Sequence, residues 1–314
     1  MIDFRYHLVS IISIFLALAV GIVLGAGPLQ ANLGDQLGEQ VAALRSEKQA
    51  LNDKLTTSQK LVDASDEYAA AVQERVVRGR LNGHRAVIVA MPSADSTMVR
   101  NLETVVGQSG ASLTGTLSVS QDWFDPATAA DRAAAARQAA AALGLSSSAS
   151  GDALLVEVLT DLGVSTTTAA ASPKRSAALK VLTDAGLLDS TAPDLAPADV
   201  ALVVSGDYAG TEAVVNQRSD AVRALVTALA ASTRATVVAG GETLAAAGQP
   251  ATSNAVQAVR EKSDTAAAVA TVDHVRAGEG PALVVLAVEN ALDEQIGHYG
   301  VAAGATAPLP RVLP

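Results

Sequence analysis

The hydrophobic and polar positions divide the chain into four differently patterned parts. An unbroken apolar stretch lies within residues 1–32, and a heptad pattern occupies residues 33–80. Apolar runs that alternate with turn residues follow over 84–304, and a proline-rich segment closes the sequence at 305–314. These patterns predict a membrane anchor, a coiled-coil stalk, a folded domain and a disordered tail, in that order.

The apolar stretch Leu8–Gly27 contains no charged residue. At about 1.5 Å per residue it reaches roughly 30 Å as a helix, which is the thickness of the hydrocarbon in a bilayer. We therefore predict a transmembrane helix that is retained in the mature protein. A cleaved signal peptide is one alternative, although its apolar core is shorter, at about 7–15 residues. A buried core helix is the other.

The charges that flank this stretch predict its orientation. Arg5 precedes it, whereas the first charges after it are Asp35 and Glu39. Because Lys and Arg favour the cytoplasmic side, we expect the N-terminus in the cytoplasm and the domain at 84–304 outside it, in the cell envelope. The chain has no cysteine, which fits an oxidising compartment without requiring one.

A heptad pattern follows the apolar stretch. The predicted coiled-coil interface, called the heptad seam below, consists of Leu37, Val41, Leu44, Lys48, Leu51, Leu55 and Val62. A weaker continuation runs through Ser65, Ala69, Val72 and Val76. Spacings that alternate between four and three residues are typical of a coiled coil, so the seam predicts a partner helix from another protein or a second copy. The alternative is a helix packed on its own domain. Pro28 is predicted to break or kink the helix before the seam.

Buried strands and amphipathic helices alternate in the domain. The predicted strands lie at 85–91, 111–119, 199–206, 235–239 and 268–272, and the predicted helices at 97–108, 126–143, 152–163, 173–185, 211–232, 242–247, 254–259 and 292–296. The apolar run at 282–288 fits either another strand or the start of a buried helix. This alternation predicts a doubly wound, mostly parallel α/β domain.

Acidic residues follow several predicted strands. They are Asp95, Asp207, Glu242 and Glu289. In a doubly wound fold the carboxyl ends of the strands form the ligand crevice, so these four could converge there as acid–base groups or cation ligands. The alternative is that they cap the following helices, a role that such junctions favour in any α/β protein.

The sequence lacks the recognised signatures of catalysis and metal binding. It has no GxGxxG or P-loop motif, no GxSxG elbow and no cysteine nucleophile, and its four histidines do not have metal-ligand spacing. Met91 and Met98 are expected in the core rather than on copper. The net charge of −10 and the 3% aromatic content argue against nucleic acid as a partner. We therefore predict no catalytic residue, no cofactor and no metal site.

Several stretches together resemble a known family. They are the opening MIDFRYHLVSIISIFLALAVGIVLGAGPL with the heptads after it, Thr271-Val272-Asp273, Ala282–Ala287, and Gly297–Gly300 before the prolines. This combination resembles the MctB family, the mycobacterial copper transport protein B family of actinobacteria. The resemblance implies copper transport or efflux across the mycobacterial envelope, with an outer-membrane location. Related corynebacterial members resemble membrane-anchored coiled-coil regulators. The resemblance therefore also implies a regulator that pairs with a partner protein and controls peptidoglycan hydrolases.

Three functional hypotheses follow from these patterns. The first is a non-enzymatic, single-pass envelope protein that acts through protein contacts of its coiled coil and its α/β domain, as a regulator or scaffold. The second is an oligomeric copper pore or copper-binding component, in which copper is implied by the resemblance alone. The third is an enzyme that uses the acidic crevice.

Overall fold

A computed structural model describes residues 4–165, 171–241 and 250–311, with the backbone alone over 26–36. The chain divides into two compact units, Met1–Ala64 and Ser65–Pro314. The first helix, α1 (Phe4–Val77), contributes to both units. It continues through Pro28, so the predicted break at that residue does not occur.

The first unit consists of the apolar and heptad parts of α1. Phe4–Gly25 has a mean hydropathy of 2.8, and none of it is buried. Its length and composition suffice for a membrane span, and its exposure argues against a buried core helix. Among the described residues it is the one helix that passes this test.

The second unit is a mixed α/β domain. Its strands are β1 (Arg85–Ala90), β2 (Ser112–Val119), β3 (Leu188–Ser190), β4 (Val200–Val204), β5 (Tyr208–Gly210), β6 (Ala235–Ala239), β7 (Ala251–Ser253), β8 (Ala270–Val272) and β9 (His298–Tyr299). Its helices after α1 are α2 (Ser96–Gln108), α3 (Ala129–Leu143), α4 (Gly151–Gly163), α5 (Pro173–Asp184), α6 (Glu212–Ser232), α7 (Ala255–Arg260), α8 (Ser263–Ala268) and α9 (Gly280–Leu292). Short 3-10 turns at Gln121–Trp123 and Pro126–Thr128 precede α3.

The central sheet has the order β3-β2-β1-β4-β6-β8-β9. All neighbouring strands are parallel except β3, which pairs with β2 in the antiparallel sense. The strand that follows β1 in the chain, β2, lies on one side of β1, whereas β4 lies on its other side. The direction in which strands are added to the sheet therefore reverses between β1 and β4. The predicted mostly parallel α/β domain is thus confirmed. A separate antiparallel pair, β5 with β7, lies outside this sheet.

Alternate residues of the strands face two hydrophobic cores. Val87 and Val89 of β1 pack into one core with apolar residues of α3 to α7, because successive side chains of a strand point to opposite faces. Ala86 and Ile88 pack into the other core, with α2, α9 and the end of α1 at Val77. Helices therefore cover both faces, as a doubly wound fold requires.

The structure decides the ambiguous run at 282–288 in favour of a helix. Almost every residue of α9 is buried, and for that reason the run has no polar face and cannot be told from a buried strand by periodicity. The helix predicted at 292–296 is wrong, since α9 ends at Leu292 and no helix follows it there. The strands β3, β5, β7 and β9 and the helix α8 were not predicted; each is six residues or shorter. The helix predicted at 242–247 lies outside the described residues.

Candidate functional site

The heptad seam is an exposed, mostly apolar stripe on α1 beyond its membrane-length segment. Leu44 is 64% exposed and Leu55 is 68% exposed, and every other member of the seam is exposed as well. A helix with such a stripe is normally stabilised by packing against another element. The single chain does not itself show a coiled coil, so the pairing stays a prediction.

The continuation of the seam behaves differently. Ala69, Val72 and Val76 are partly buried, and Val76 packs on the core that contains α2 and α9. The Asp66 carboxylate accepts a hydrogen bond of 2.8 Å from the backbone N–H of Gly278. The last turns of α1 therefore pack on their own domain, which was the alternative considered for the whole helix.

Backbone fills the crevice expected where the strand order reverses. The loops after β1 and β4 form an isolated bridge between Ala94 and Gly206. A Cβ atom added at Gly206 would lie 2.3 Å from the carbonyl oxygen of Pro92, so only glycine permits this approach. The position at which doubly wound folds commonly hold a ligand is thus occupied by packed main chain.

The predicted acidic residues have separate partners. Asp95 caps α2 by accepting hydrogen bonds from the N–H groups of Thr97 and Met98, at 2.7 and 3.3 Å, and these bonds lower its pKa. Asp207, in the loop that the bridge brings beside Asp95, accepts a hydrogen bond of 3.2 Å from Asn254.

Glu289 does not follow a strand. It lies on α9, and its carboxylate is 2.7 Å from the Arg80 guanidinium. Glu242 lies outside the described residues. The structure therefore brings together the loops of Asp95 and Asp207 and places Glu289 on a helix with a partner of its own.

A buried ion pair lies beyond the ends of β8 and β9. Arg260 and Asp273 are 2.6 Å apart, and their side chains are only 3% and 1% exposed. The Asp273 carboxylate also accepts hydrogen bonds from the N–H groups of Val301 and Ala302. Burial by itself would raise its pKa, but these hydrogen bonds and Arg260 outweigh burial and hold the pKa below its usual range.

Sequence reasoning missed a second cationic group, on α6. The Arg218 guanidinium carbon lies 5.0 Å from the ring centroids of both Phe124 and Tyr208. Arg218 interrupts the apolar stripe of α6 between Val214 and Val222, and this was the signal that could have revealed it. Burial lowers the pKa of Arg218 and raises that of Tyr208.

The described residues do not fit a copper site. Soft sulfur ligands select Cu(I), but the chain has no cysteine. Met91 and Met98 are 5% and 4% exposed and pack into the two different cores, so they cannot share one ion. His84 pairs with Asp199 and His298 with Thr271. Over the described ranges, no group of three or more His, Cys, Asp or Glu side chains is arranged to hold a metal.

One known protein family matches nearly the whole chain. The family model described as "Copper transport outer membrane protein, MctB" matches residues 1–310. The chain belongs to the MctB family. The resemblance seen in the sequence is thereby confirmed.

Relatives in the MctB family are named as copper transporters. The proteins named "Copper transporter MctB" in Mycobacterium tuberculosis and Mycobacterium bovis are each 29% identical over 97% of this chain and 98% of their own length. The Mycobacterium leprae protein of the same name is 29% identical over 98% of both chains. These names are compatible with a non-enzymatic protein. They do not support the predicted regulation of peptidoglycan hydrolases.

Proposed function

We propose that this MctB-family chain is a membrane-anchored envelope component of copper transport that works as an assembly of several copies. The observation that carries the proposal is the heptad seam, which follows a membrane-length apolar segment on the same helix and is exposed in the single chain. Leaving this stripe in water costs free energy that a partner helix removes. The family's description supplies copper as the cargo.

The charges beside the seam support a second copy as the partner. In a parallel pair, each g position lies next to the e position of the following heptad on the other helix. These contacts would join Gln40 to Arg45, Glu47 to Asn52, and Lys54 to Gln59. None of them brings two like charges together, so self-association meets no repulsion at these positions. Lys48 is the one charged member of the seam, and it favours a defined register at some loss of stability.

The donor set of the chain supports an assembly rather than a copper site within one copy. The chain has no thiolate, and the two thioethers among the described residues, Met91 and Met98, are buried in separate cores. One apolar helix also has no polar lining along which an ion could move, so a pathway needs several helices. The anchor, with its N-terminus in the cytoplasm, would hold the domain in the envelope.

Substitutions in the seam test the proposal. We expect Leu44→Glu, Leu51→Glu and Leu55→Glu together to abolish crosslinking between full-length chains, because they place like charges at the packed positions. The matched control is Ala43→Glu, Ala50→Glu and Thr57→Glu, which adds the same charge at exposed c positions of the same heptads. Cells that carry the seam variant should accumulate copper as a deletion strain does, whereas the control should complement the deletion.

Two results would contradict this proposal. One is a wild-type chain that stays monomeric in the membrane while a different protein is crosslinked to its seam, which would favour the regulatory role predicted from the sequence. The other is normal copper handling by cells in which the seam variant has lost its assembly. Stoichiometric copper binding by the purified monomer would contradict the supporting argument that the described residues of one copy do not form a copper site.

A further inference from the structure

A pocket of about 270 Å³ lies between the turns after β2 and the first turns of α6. Trp123 and Phe124 line one side, and Gln217 and Arg218 line the other. Since β2 is parallel to β1 and to the strands beyond it, and α6 follows β4 and β5, this pocket opens at the carboxyl edge of the parallel strands. It is separate from the place where the loops after β1 and β4 are packed together. Among its described lining residues are none of Asp95, Asp207 and Glu289.

The guanidinium of Arg218 is held in place without an acidic partner. Its aromatic contacts with Phe124 and Tyr208 orient it, and the Tyr208 hydroxyl is in turn hydrogen-bonded to Ser219 at 2.8 Å. In the part of the chain that the structure describes, Arg218 forms no ion pair and no hydrogen bond. A half-buried guanidinium in this state keeps its N–H donors available for an anion.

The other arginine of the pocket shows the contrast. Arg132 bonds the Asp152 carboxylate at 3.0 Å, the Thr128 hydroxyl at 2.8 Å and the carbonyl oxygen of Asp125. Its donors are therefore used within the fold. The two carboxylates of the pocket are also engaged, because Asp152 binds Arg132 and Asp125 accepts from the N–H of Ala127 at 2.8 Å. Of the two arginines among the described lining residues, Arg218 is the one without an ionic partner.

We propose that this pocket binds a small organic carboxylate, with Arg218 as the group that recognises the anion. A planar guanidinium presents its donors as a fork that matches the two oxygens of a carboxylate. The exposed amide of Gln217 adds a donor at the rim, and the rings of Trp123 and Phe124 offer an apolar wall for the body of the ligand. The volume of about 270 Å³ lies below the usual range for drug-sized ligands, so a small acid fits it better.

Trp123 makes the proposal directly measurable, because it is the single tryptophan of the chain and it lines the pocket. We would titrate the full-length protein, in a non-ionic detergent and a buffer free of carboxylate, while recording tryptophan fluorescence. Cyclohexanecarboxylate represents a free organic acid, and N-acetyl-leucine represents the end of a peptide chain. Cyclohexanecarboxamide is the neutral control, and inorganic phosphate is the competing anion.

We expect saturable binding of at least one carboxylate and no binding of the carboxamide. The carboxylate that binds more tightly shows whether the ligand is a free organic acid or the end of a peptide chain. Arg218→Gln should weaken binding about tenfold or more, because it removes a charged hydrogen-bonding partner. Arg218→Lys should weaken binding less, since it keeps the charge but not the fork. Arg137→Gln, which removes an exposed arginine of α3, should leave binding unchanged.

The proposal fails if neither carboxylate changes the fluorescence of the folded wild-type protein. It also fails if phosphate binds more tightly than both carboxylates, or if Arg218→Gln binds as the wild type does. Because Arg218→Lys keeps the positive charge against Phe124 and Tyr208, it controls for a fold that needs this cation. These outcomes are independent of self-association through the heptad seam.

Discussion

Asp273 is the side chain on which the C-terminal part of the domain converges. Its carboxylate joins Arg260 at the end of α7 to the backbone that follows β9, through Val301 and Ala302. The residue is fully buried, so its charge has no access to water. A buried charge of this kind is tolerated only because every partner is in place. We therefore assign to Asp273 a structural role rather than a catalytic one.

Asp273→Asn should lower the free energy of unfolding by about 3–5 kcal/mol, because it leaves Arg260 buried without its counter-charge. Chemical denaturation of the full-length protein near neutral pH measures this. The pKa of Asp273 lies below that of an unfolded aspartate, so its contribution is complete above about pH 5 and is lost as the pH falls through the folded pKa. The variant should accordingly lose less stability than the wild type between about pH 5 and pH 3.

The exposed Asp293→Asn provides the control, since it removes one negative charge without an ion pair. It should change the stability by no more than about 0.5 kcal/mol. An Asp273→Asn variant as stable as this control would contradict the role assigned to the ion pair.

At the scale of elements, the end of α1 is joined to the domain by a close backbone contact. A Cβ atom added at Gly278 would lie 2.5 Å from the Cα of Asp66. The same two residues share the hydrogen bond from Gly278 to the Asp66 carboxylate. The helix can therefore approach the turn before α9 only because residue 278 has no side chain.

Gly278→Ala should separate this contact and destabilise the protein by about 1–3 kcal/mol through steric overlap. We expect backbone amides of α1 over residues 66–77 to exchange with deuterium faster, as measured by mass spectrometry. Gly107→Ala is the matched control, because Gly107 is exposed on α2 and a Cβ there meets no atom within 4 Å. Unchanged exchange in α1 of the Gly278→Ala variant would contradict the importance of this contact.

Elements differ in how far their sequence predicts them. The buried strands β1, β4 and β6 are predicted because each is a short β-branched run between turn residues. The helix α9 is not distinguished from such a run, because its burial on all sides removes the polar face that marks a helix. The edge strands β3 and β9 are too short to carry a pattern, and their pairing with β2 and β8 defines them.

At the scale of the molecule, the arrangement joins a membrane-length helix, an exposed heptad seam and a doubly wound domain in one chain. Family membership extends over residues 1–310, so it includes both the helix and the domain. The candidate sites differ in how visible they are in the sequence. The heptad seam is visible because its residues are neighbours along one helix. The Arg218 pocket is not, because Phe124, Tyr208 and Arg218 come from three separate elements.

Retention and orientation of the anchor can be measured at this scale. Because the chain has no cysteine, single substitutions provide clean labelling sites. In intact cells, Ser46→Cys should react with a membrane-impermeant maleimide, whereas Asp3→Cys should react only after the cells are broken. The intact mass of the purified protein should include the apolar segment. The opposite labelling pattern would contradict the orientation, and a mature chain that starts after Gly27 would contradict retention.

Features with a local cause can be predicted from the residues alone: the apolar segment of membrane length, the heptad seam and the alternation of strands with helices. Each follows from a period or a length that neighbouring residues define. Four further features become visible only in the folded chain: the strand order, the helical state of Gly280–Leu292, the pairing of Arg260 with Asp273 and the position of Arg218 between aromatic rings. These depend on contacts between residues far apart in the chain, and such contacts leave no periodic trace in the sequence.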